Sequence, residues 1–253
     1  AANRFGHPAE SMVMLGVTGT NGKPTTTYLV KHMLEDAGHK VGLIGTNQNL
    51  IGDEVIETER TTPESPDLQK LFARMRDAGC TVVAMEVSSH ALDLRRTWDT
   101  DFAVTAFTNL TQDHLDYHHT FDDYFEAKAL LFSKDYPARR VISIDGSWGR
   151  ELLRRCTAAG DEVITTGFDV SAQIHPVEVT YEAARTKAVL EVRGTRIAVE
   201  YPLVGRFNVE NVMCAFGIGL QLGFPAETIV EALEEAPQIP GRLERVSAPN
   251  TGG

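Results

Sequence analysis

The residues Gly16-Val17-Thr18-Gly19-Thr20-Asn21-Gly22-Lys23 set glycines and a lysine between an apolar run and a helical pattern. Glycine lets the backbone curl so that successive N–H groups face one anion. A helix start adds the positive end of its dipole, and a lysine can reach outer phosphates. Strand, glycine turn and helix in that order form the setting in which such a turn binds phosphate. Five residues separate Gly16 from Gly22, one more than in the common phosphate loop, and Pro24 stands where a Ser or Thr hydroxyl normally ligates Mg²⁺. Proline supplies neither hydroxyl nor N–H and disfavours a helical Lys23 before it, although it is comfortable in the first turn of a helix. Thr25 is the nearest substitute hydroxyl, turned about 100° around the helix. The turn is expected to form, with its metal chemistry impaired.

The elements that must hold this turn read as an α/β fold. Met12–Val17 reads as the strand before it and Thr25–Ala37 as the helix after it, with Tyr28, Leu29, His32, Met33 and Ala37 near one face. Val41–Gly45, Thr81–Val87, Phe102–Thr108 and Arg140–Ile144 read as further strands, and Leu50–Glu57 as a short hairpin. Pro66–Ala78, Phe121–Phe132 and Glu151–Ala159 read as helices. The second half changes character: Gln173–Tyr181, Ala188–Val192 and Thr195–Tyr201 form a meander, followed by helices Phe207–Leu222 and Ala226–Glu235. The expected architecture is a mostly parallel, phosphate-loop-type sheet flanked by helices, with a smaller antiparallel meander.

A formal charge of −11 over 253 residues argues against a broad nucleic-acid footprint, though a local turn of N–H groups still suits an anionic small molecule. The apolar runs are too short to cross a membrane, and Ala1–Ser11 lacks the basic and apolar regions of a secretory signal. Cys80, Cys156 and Cys214 are too few and too scattered for a disulfide framework or a zinc site, and read as reduced thiols of a cytoplasmic protein. The start at Ala1 and the ending Thr251-Gly252-Gly253 read as cut points.

Beyond the turn, Arg60-Thr61-Thr62-Pro63, Met85-Glu86-Val87-Ser88-Ser89-His90 and the run Phe107-Thr108-Asn109-Leu110-Thr111-Gln112-Asp113-His114-Leu115-Asp116-Tyr117-His118 group polar residues at strand ends. Tyr124–Lys128, Gly205–Asn211 and Gly241–Glu244 continue the series. By residue type alone, Glu86 is equally a solvated strand-end carboxylate, Lys128 a surface lysine, and Asn208 and Asn211 helix-capping residues. His114, His118 and His119 with Asp113 and Asp116 fit no common zinc spacing, so Mg²⁺ is the preferred metal.

In this order the segments resemble the Mur ligases, and among them the MurE branch of UDP-N-acetylmuramoyl-tripeptide synthetases. The resemblance implies that ATP phosphorylates a carboxylate of a UDP-linked muramoyl dipeptide. The amine of a diamino acid, meso-diaminopimelate or L-lysine, then attacks the acyl phosphate. It implies ATP binding by Gly19, Thr20, Asn21, Gly22, Lys23 and Thr25, with Asn208 and Asn211 reading the adenine edge and Arg242 approaching the γ-phosphate. Lys23, Glu86, His114 and Lys128 would be catalytic. Glu86 would hold a Mg²⁺ near the β- and γ-phosphates, His114 and a carbamylated Lys128 a second Mg²⁺, and Thr61, Thr62, Ser88 and Arg96 the UDP-muramoyl substrate. Arg60 and Leu94 stand where the branch commonly has asparagine and glutamine. Residues 1–244 would be the central domain and 245–253 the start of the next, with flanking UDP-binding and amino-acid-binding domains absent and the chain monomeric. Two other readings are a folylpolyglutamate synthase-like relative, against which the T-T-P and M-E-V-S-S-H segments speak, and a non-catalytic nucleotide- or UDP-sugar-binding module.

Overall fold

Runs of β-branched and apolar residues bounded by glycines build a single sheet, in a computed structural model that describes residues 1–57, 60–112 and 115–237, the side chains of Leu115 and Asp116 excepted. In chain order the elements are α1 (Ala2–Phe5), a 3₁₀ turn (Pro8–Ser11), β1 (Val13–Thr18), α2 (Lys23–Asp36), β2 (Val41–Ile44), β3 (Asn49–Ile51), β4 (Glu54–Ile56), α3 (Ser65–Asp77), β5 (Val82–Glu86) and α4 (Ser89–Asp93). There follow β6 (Phe102–Phe107), α5 (Leu115–His118), α6 (Phe121–Ala129), a 3₁₀ turn (Leu130–Phe132), β7 (Arg139–Ser143), α7 (Ser147–Ala159) and β8 (Val163–Thr166). The chain then runs through β9 (Ile174–Tyr181), β10 (Thr186–Val192), β11 (Thr195–Tyr201), α8 (Arg206–Leu222) and α9 (Ala226–Glu234). The expected boundary at residue 244 lies outside the described residues.

The sheet order is β11-β10-β9-β8-β7-β6-β1-β5-β2-β3-β4. Strands β2, β5, β1, β6, β7 and β8 pair in parallel, and β9 joins β8 in parallel before the meander turns antiparallel. The meander therefore extends the main sheet. Strand β8 was not expected from the sequence; its four residues are too short for a clear period.

Alternate side chains of each central strand enter opposite cores, as the pleat requires. Leu15, Val17, Val82, Ala84 and Val141 pack under α2, α8 and α9, whereas Met14, Val83, Met85 and Ile142 pack under α3, α6 and α7. Because α8 and α9 cover α2 from outside, α2 is buried continuously from Pro24 to Lys31 rather than along the expected single face. It also starts at Lys23, two residues before the expected helix, so Pro24 occupies the first turn. First-turn N–H groups have no intrahelical acceptor, so a proline there breaks no ladder bond.

The three cysteines are buried and unpaired. Burial pushes the Cys156 and Cys214 thiols up to about 12 and also raises that of Cys80. Their stability contribution is full below about pH 8.5, where an unfolded chain also keeps its thiol protons. It is lost as the pH rises toward 12. A thiol-specific chromophoric reagent at pH 8 should therefore leave all three cysteines unlabelled in the native chain and label three in denaturant. Rapid native labelling of Cys156 or Cys214 would contradict this packing.

Candidate active site

The C-terminal ends of parallel strands collect ligand groups because the chain reverses there and the following helices begin there. At this edge the turn after β1 is braced by the segment after β6. The Thr20 N–H donates to the Asn109 carbonyl at 2.9 Å, and the Asn21 N–H to Asn109 Oδ1 at 2.9 Å. Thr108 Oγ1 donates to the Asn21 carbonyl at 2.6 Å, and the Thr111 N–H donates to Thr20 Oγ1 at 3.0 Å. The approach is so close that a Cβ on Gly19 would fall on Thr108 Oγ1, and its φ of +147° is itself a glycine conformation. The N–H groups of Thr20 and Asn21 thus serve the scaffold rather than facing an anion as the bare motif suggested. Gly22 and the start of α2 remain as the part of the turn with N–H groups not used in this way, and Pro24 removes one donor there.

Lys23 Nζ donates to the Gly19 and Thr20 carbonyls at 2.9 and 3.0 Å, holding the ammonium over the turn. Lys128, on α6, reaches the same turn from behind and donates to the Gly19 carbonyl at 3.0 Å. It is 1% exposed and lies 4.5 Å from the centroid of the Tyr124 ring, so it is not a surface lysine. The Tyr124 hydroxyl lies 3.2 Å from Thr20 Oγ1.

Glu86 ends β5 beside Val17 and is 1% exposed, which excludes a solvated strand-end carboxylate. Its Oε1 and Oε2 accept the Thr46 N–H and Oγ–H, each at 2.8 Å. Thr62 Oγ1 donates to the Glu86 carbonyl at 2.9 Å and accepts the Ser88 N–H at 3.1 Å. Arg96 donates to the Thr62 carbonyl at 2.9 Å and pairs with Glu64 at 2.8 Å, while its buried Nε has no hydrogen-bond partner among the described residues. Thr61, Thr62, Ser88 and Arg96 therefore form one connected group next to Glu86. Ser88 also caps α4 through the Ala91 N–H, and His118 reaches Ser89 Oγ at 2.9 Å.

On the other side of the turn a cleft of about 510 Å³ runs between Gly22, Thr25, Thr108, Trp148, Phe207 and Asn211. Asn211 lines it, with Oδ1 against Gly22. Asn208 stands behind, accepting from Asn211 Nδ2 at 3.2 Å and donating to the Val204 carbonyl at 2.9 Å. Neither caps α8 through its side chain. Burial, and then the charge of Asp145, raises the carboxyl of Glu210, which also lines the cleft. His114, Asp113 and Arg242 lie outside the described residues. Among the described residues no three His, Cys, Asp or Glu side chains converge as a metal cluster, and no helix is long and apolar enough to cross a membrane.

A family model described as the Mur ligase middle domain matches residues 17–219, from the end of β1 through most of α8. The chain belongs to the Mur ligase middle-domain family. Similar to it is the UDP-N-acetylmuramoyl-L-alanyl-D-glutamate–2,6-diaminopimelate ligase of Corynebacterium glutamicum, 44% identical over 96% of this chain and 47% of that protein. A solved structure of a ligase of the same name superposes with a TM-score of 0.86 at 29% identity, covering 94% of this chain and 49% of the other. An apo L. casei FPGS gives a TM-score of 0.80 at 20% identity, covering 98% of this chain and 68% of that one, which speaks for the fold alone. The chain spans about half the length of the curated relatives it matches.

Thr46, Thr108, Asn109 and Tyr124 were not singled out as site residues in the sequence. Three of them lie inside recognised Mur ligase segments; Thr46 follows β2 with no local signal of its own. In this Mur ligase domain Gly19→Ala forces the turn off Thr108 and imposes an unfavourable φ. It should lower stability by more than about 1 kcal/mol in urea unfolding. Unchanged stability would contradict the packing described.

Proposed function

We propose that this chain is the ATP-using core of a ligase that adds a diamino acid to UDP-N-acetylmuramoyl-L-alanyl-D-glutamate through an acyl phosphate. The names of its relatives favour 2,6-diaminopimelate over L-lysine as the amino acid. The observation that carries the reading is the meeting, at one sheet edge, of the Gly19–Lys23 turn, the buried Glu86 carboxylate and the Thr61–Thr62–Ser88–Arg96 group.

The chemistry brings a γ-phosphoryl group to a carboxylate, two anions that repel, so positioning and charge neutralisation dominate. Gly19, Thr20, Asn21, Gly22 and the start of α2 shape the phosphate site. Lys23 would exchange its two turn carbonyls for phosphate oxygens, and Thr25, which faces the cleft, offers a hydroxyl nearby. Asn211, backed by Asn208, would read the adenine edge. Arg96, with its unpartnered Nε, and the hydroxyls of Thr61, Thr62 and Ser88 would hold the substrate carboxylate. Attack of the incoming amine on the acyl phosphate then forms the amide and releases phosphate.

The Glu86 carboxylate is a hard oxygen ligand with the hydroxyl oxygens of Thr46 and Thr61 nearby, which fits Mg²⁺. When bound, Mg²⁺ would neutralise developing charge on the β- and γ-phosphates. Glu86 would hold it, and His114 with Lys128 as a carbamate would hold a second Mg²⁺. Carbamylation requires a neutral amine, and Lys128 is buried at 1% exposure. Arg242 would approach the γ-phosphate. The chain spans about half the length of its curated relatives, and the UDP and amino-acid sites would lie in the rest of a full-length ligase, so this domain tested by itself should bind nucleotide without completing the ligation.

Pro24→Thr restores the hydroxyl and N–H that the metal-side grip lacks. Calorimetric titration should show Mg²⁺·ATP binding to the variant roughly tenfold tighter than to the parent, the scale on which a metal-shell partner acts. Equal affinity would contradict the role given to Pro24. For Lys128, chain equilibrated with ¹³C-bicarbonate should show a carbamate carbon resonance that Lys128→Met removes. A spectrum without that resonance would sink the carbamate.

A further inference from the structure

We propose that Thr46 is a positioning residue that fixes the Glu86 carboxylate for the divalent cation and links it to the Thr61–Thr62 loop; this rests on the metal-binding reading of Glu86. Both carboxylate oxygens are held by one residue. The Thr46 N–H meets Oε1 and its hydroxyl meets Oε2, each at 2.8 Å. Two donors from a single residue, aimed at the two oxygens of a planar group, set its plane as well as its position. The turn that carries Thr46 is itself braced, because the Gly45 N–H donates to Asn49 Oδ1 at 3.3 Å. Gly45 lies so close to the carboxylate that a Cβ there would fall on Glu86 Oε1.

The hydroxyl has a second neighbour, Thr61 Oγ1, at 3.1 Å. An ionised carboxylate only accepts, and a threonine hydroxyl has one hydrogen. The Thr46 hydrogen therefore goes to Glu86, and Thr61 donates to Thr46. The resulting chain runs in one direction, Thr61 to Thr46 to Glu86, and each bond polarises the next. Thr62, the next residue, bonds the main-chain carbonyl of Glu86. The Thr61–Thr62 pair thus holds Glu86 by its side chain, through Thr46, and by its backbone directly. Outer-shell donors of this kind orient the oxygen presented to a metal, and their loss typically costs about 10- to 100-fold in metal affinity or activity.

The test compares Thr46→Val, which keeps the shape and removes the hydroxyl, with Thr46→Ser, which keeps the hydroxyl. Binding of a non-hydrolysable ATP analogue is measured with and without Mg²⁺. Thr46→Val should weaken the Mg²⁺-dependent part of the affinity about tenfold or more. It should leave Mg²⁺-free binding unchanged and lower the thermal midpoint of the unliganded chain only modestly, through the lost bond to the buried carboxylate, and Thr46→Ser should restore the parent value. Full Mg²⁺ dependence in Thr46→Val, or no rescue by Thr46→Ser, would overturn the proposal.

A parent chain that binds no analogue would contradict the ligase reading, and a second measurement then reads the clamp separately. In Mn²⁺ titrations followed by paramagnetic resonance, Glu86→Gln should remove the tightest site and Thr46→Val should weaken it. A tight site insensitive to Thr46→Val, or no Mn²⁺ site at all, would overturn the role of Thr46.

Discussion

The bonds from the Thr20 and Asn21 N–H groups to Asn109 anchor the site. A glycine turn is intrinsically loose, because glycine loses more conformational freedom on folding than any other residue. Here it is clamped by the segment after β6, whose Thr108, Asn109 and Thr111 all bond to it, and by Tyr124 and Lys128 of α6. The strand order makes this possible. β6 lies directly beside β1, so the two chain reversals emerge next to each other at the same edge. β5 lies on the other side of β1 and brings Glu86 level with Val17. The glycine turn, the Glu86 carboxylate and the hydroxyls of Thr61, Thr62 and Ser88 therefore share one edge.

On the proposed reading, that edge lets a chain with a formal charge of −11 accommodate a polyphosphate. The positive potential there would be local, from the start of α2 and Lys23, and would work at contact distance where screening is weak. It also limits the harm done by Pro24. The helix keeps its start, because a first-turn residue has no ladder bond to lose; the cost falls on the ligand side, where a donor and a hydroxyl are missing.

Much of this was legible in the sequence. Alternating apolar strands and helical periods located the parallel sheet, and the meander was visible from three short runs with tight turns between them. The turn residues announced themselves by type and spacing, whereas Glu86 stood out only through the family resemblance of its segment. What stayed hidden depended on contacts between distant segments. Asn109 takes two turn N–H groups from 88 and 89 positions away, and nothing local marks it for that task. Burial of Glu86 and Lys128 likewise follows from how β5 and α6 pack, so residue type could not separate a ligand from a surface charge. The single-face pattern expected for α2 failed because helices from the end of the chain cover its outer side.

The central claim is that nucleotide phosphates sit on the Gly22–Thr25 end of the turn, with the metal on Glu86. A crystal structure of the chain with a non-hydrolysable ATP analogue and Mg²⁺ tests it most directly. The account predicts β- and γ-phosphates at the start of α2 within reach of Lys23, the purine beside Asn211, and the cation on a Glu86 oxygen. A nucleotide bound away from the turn, or a cation coordinated without Glu86, would contradict it.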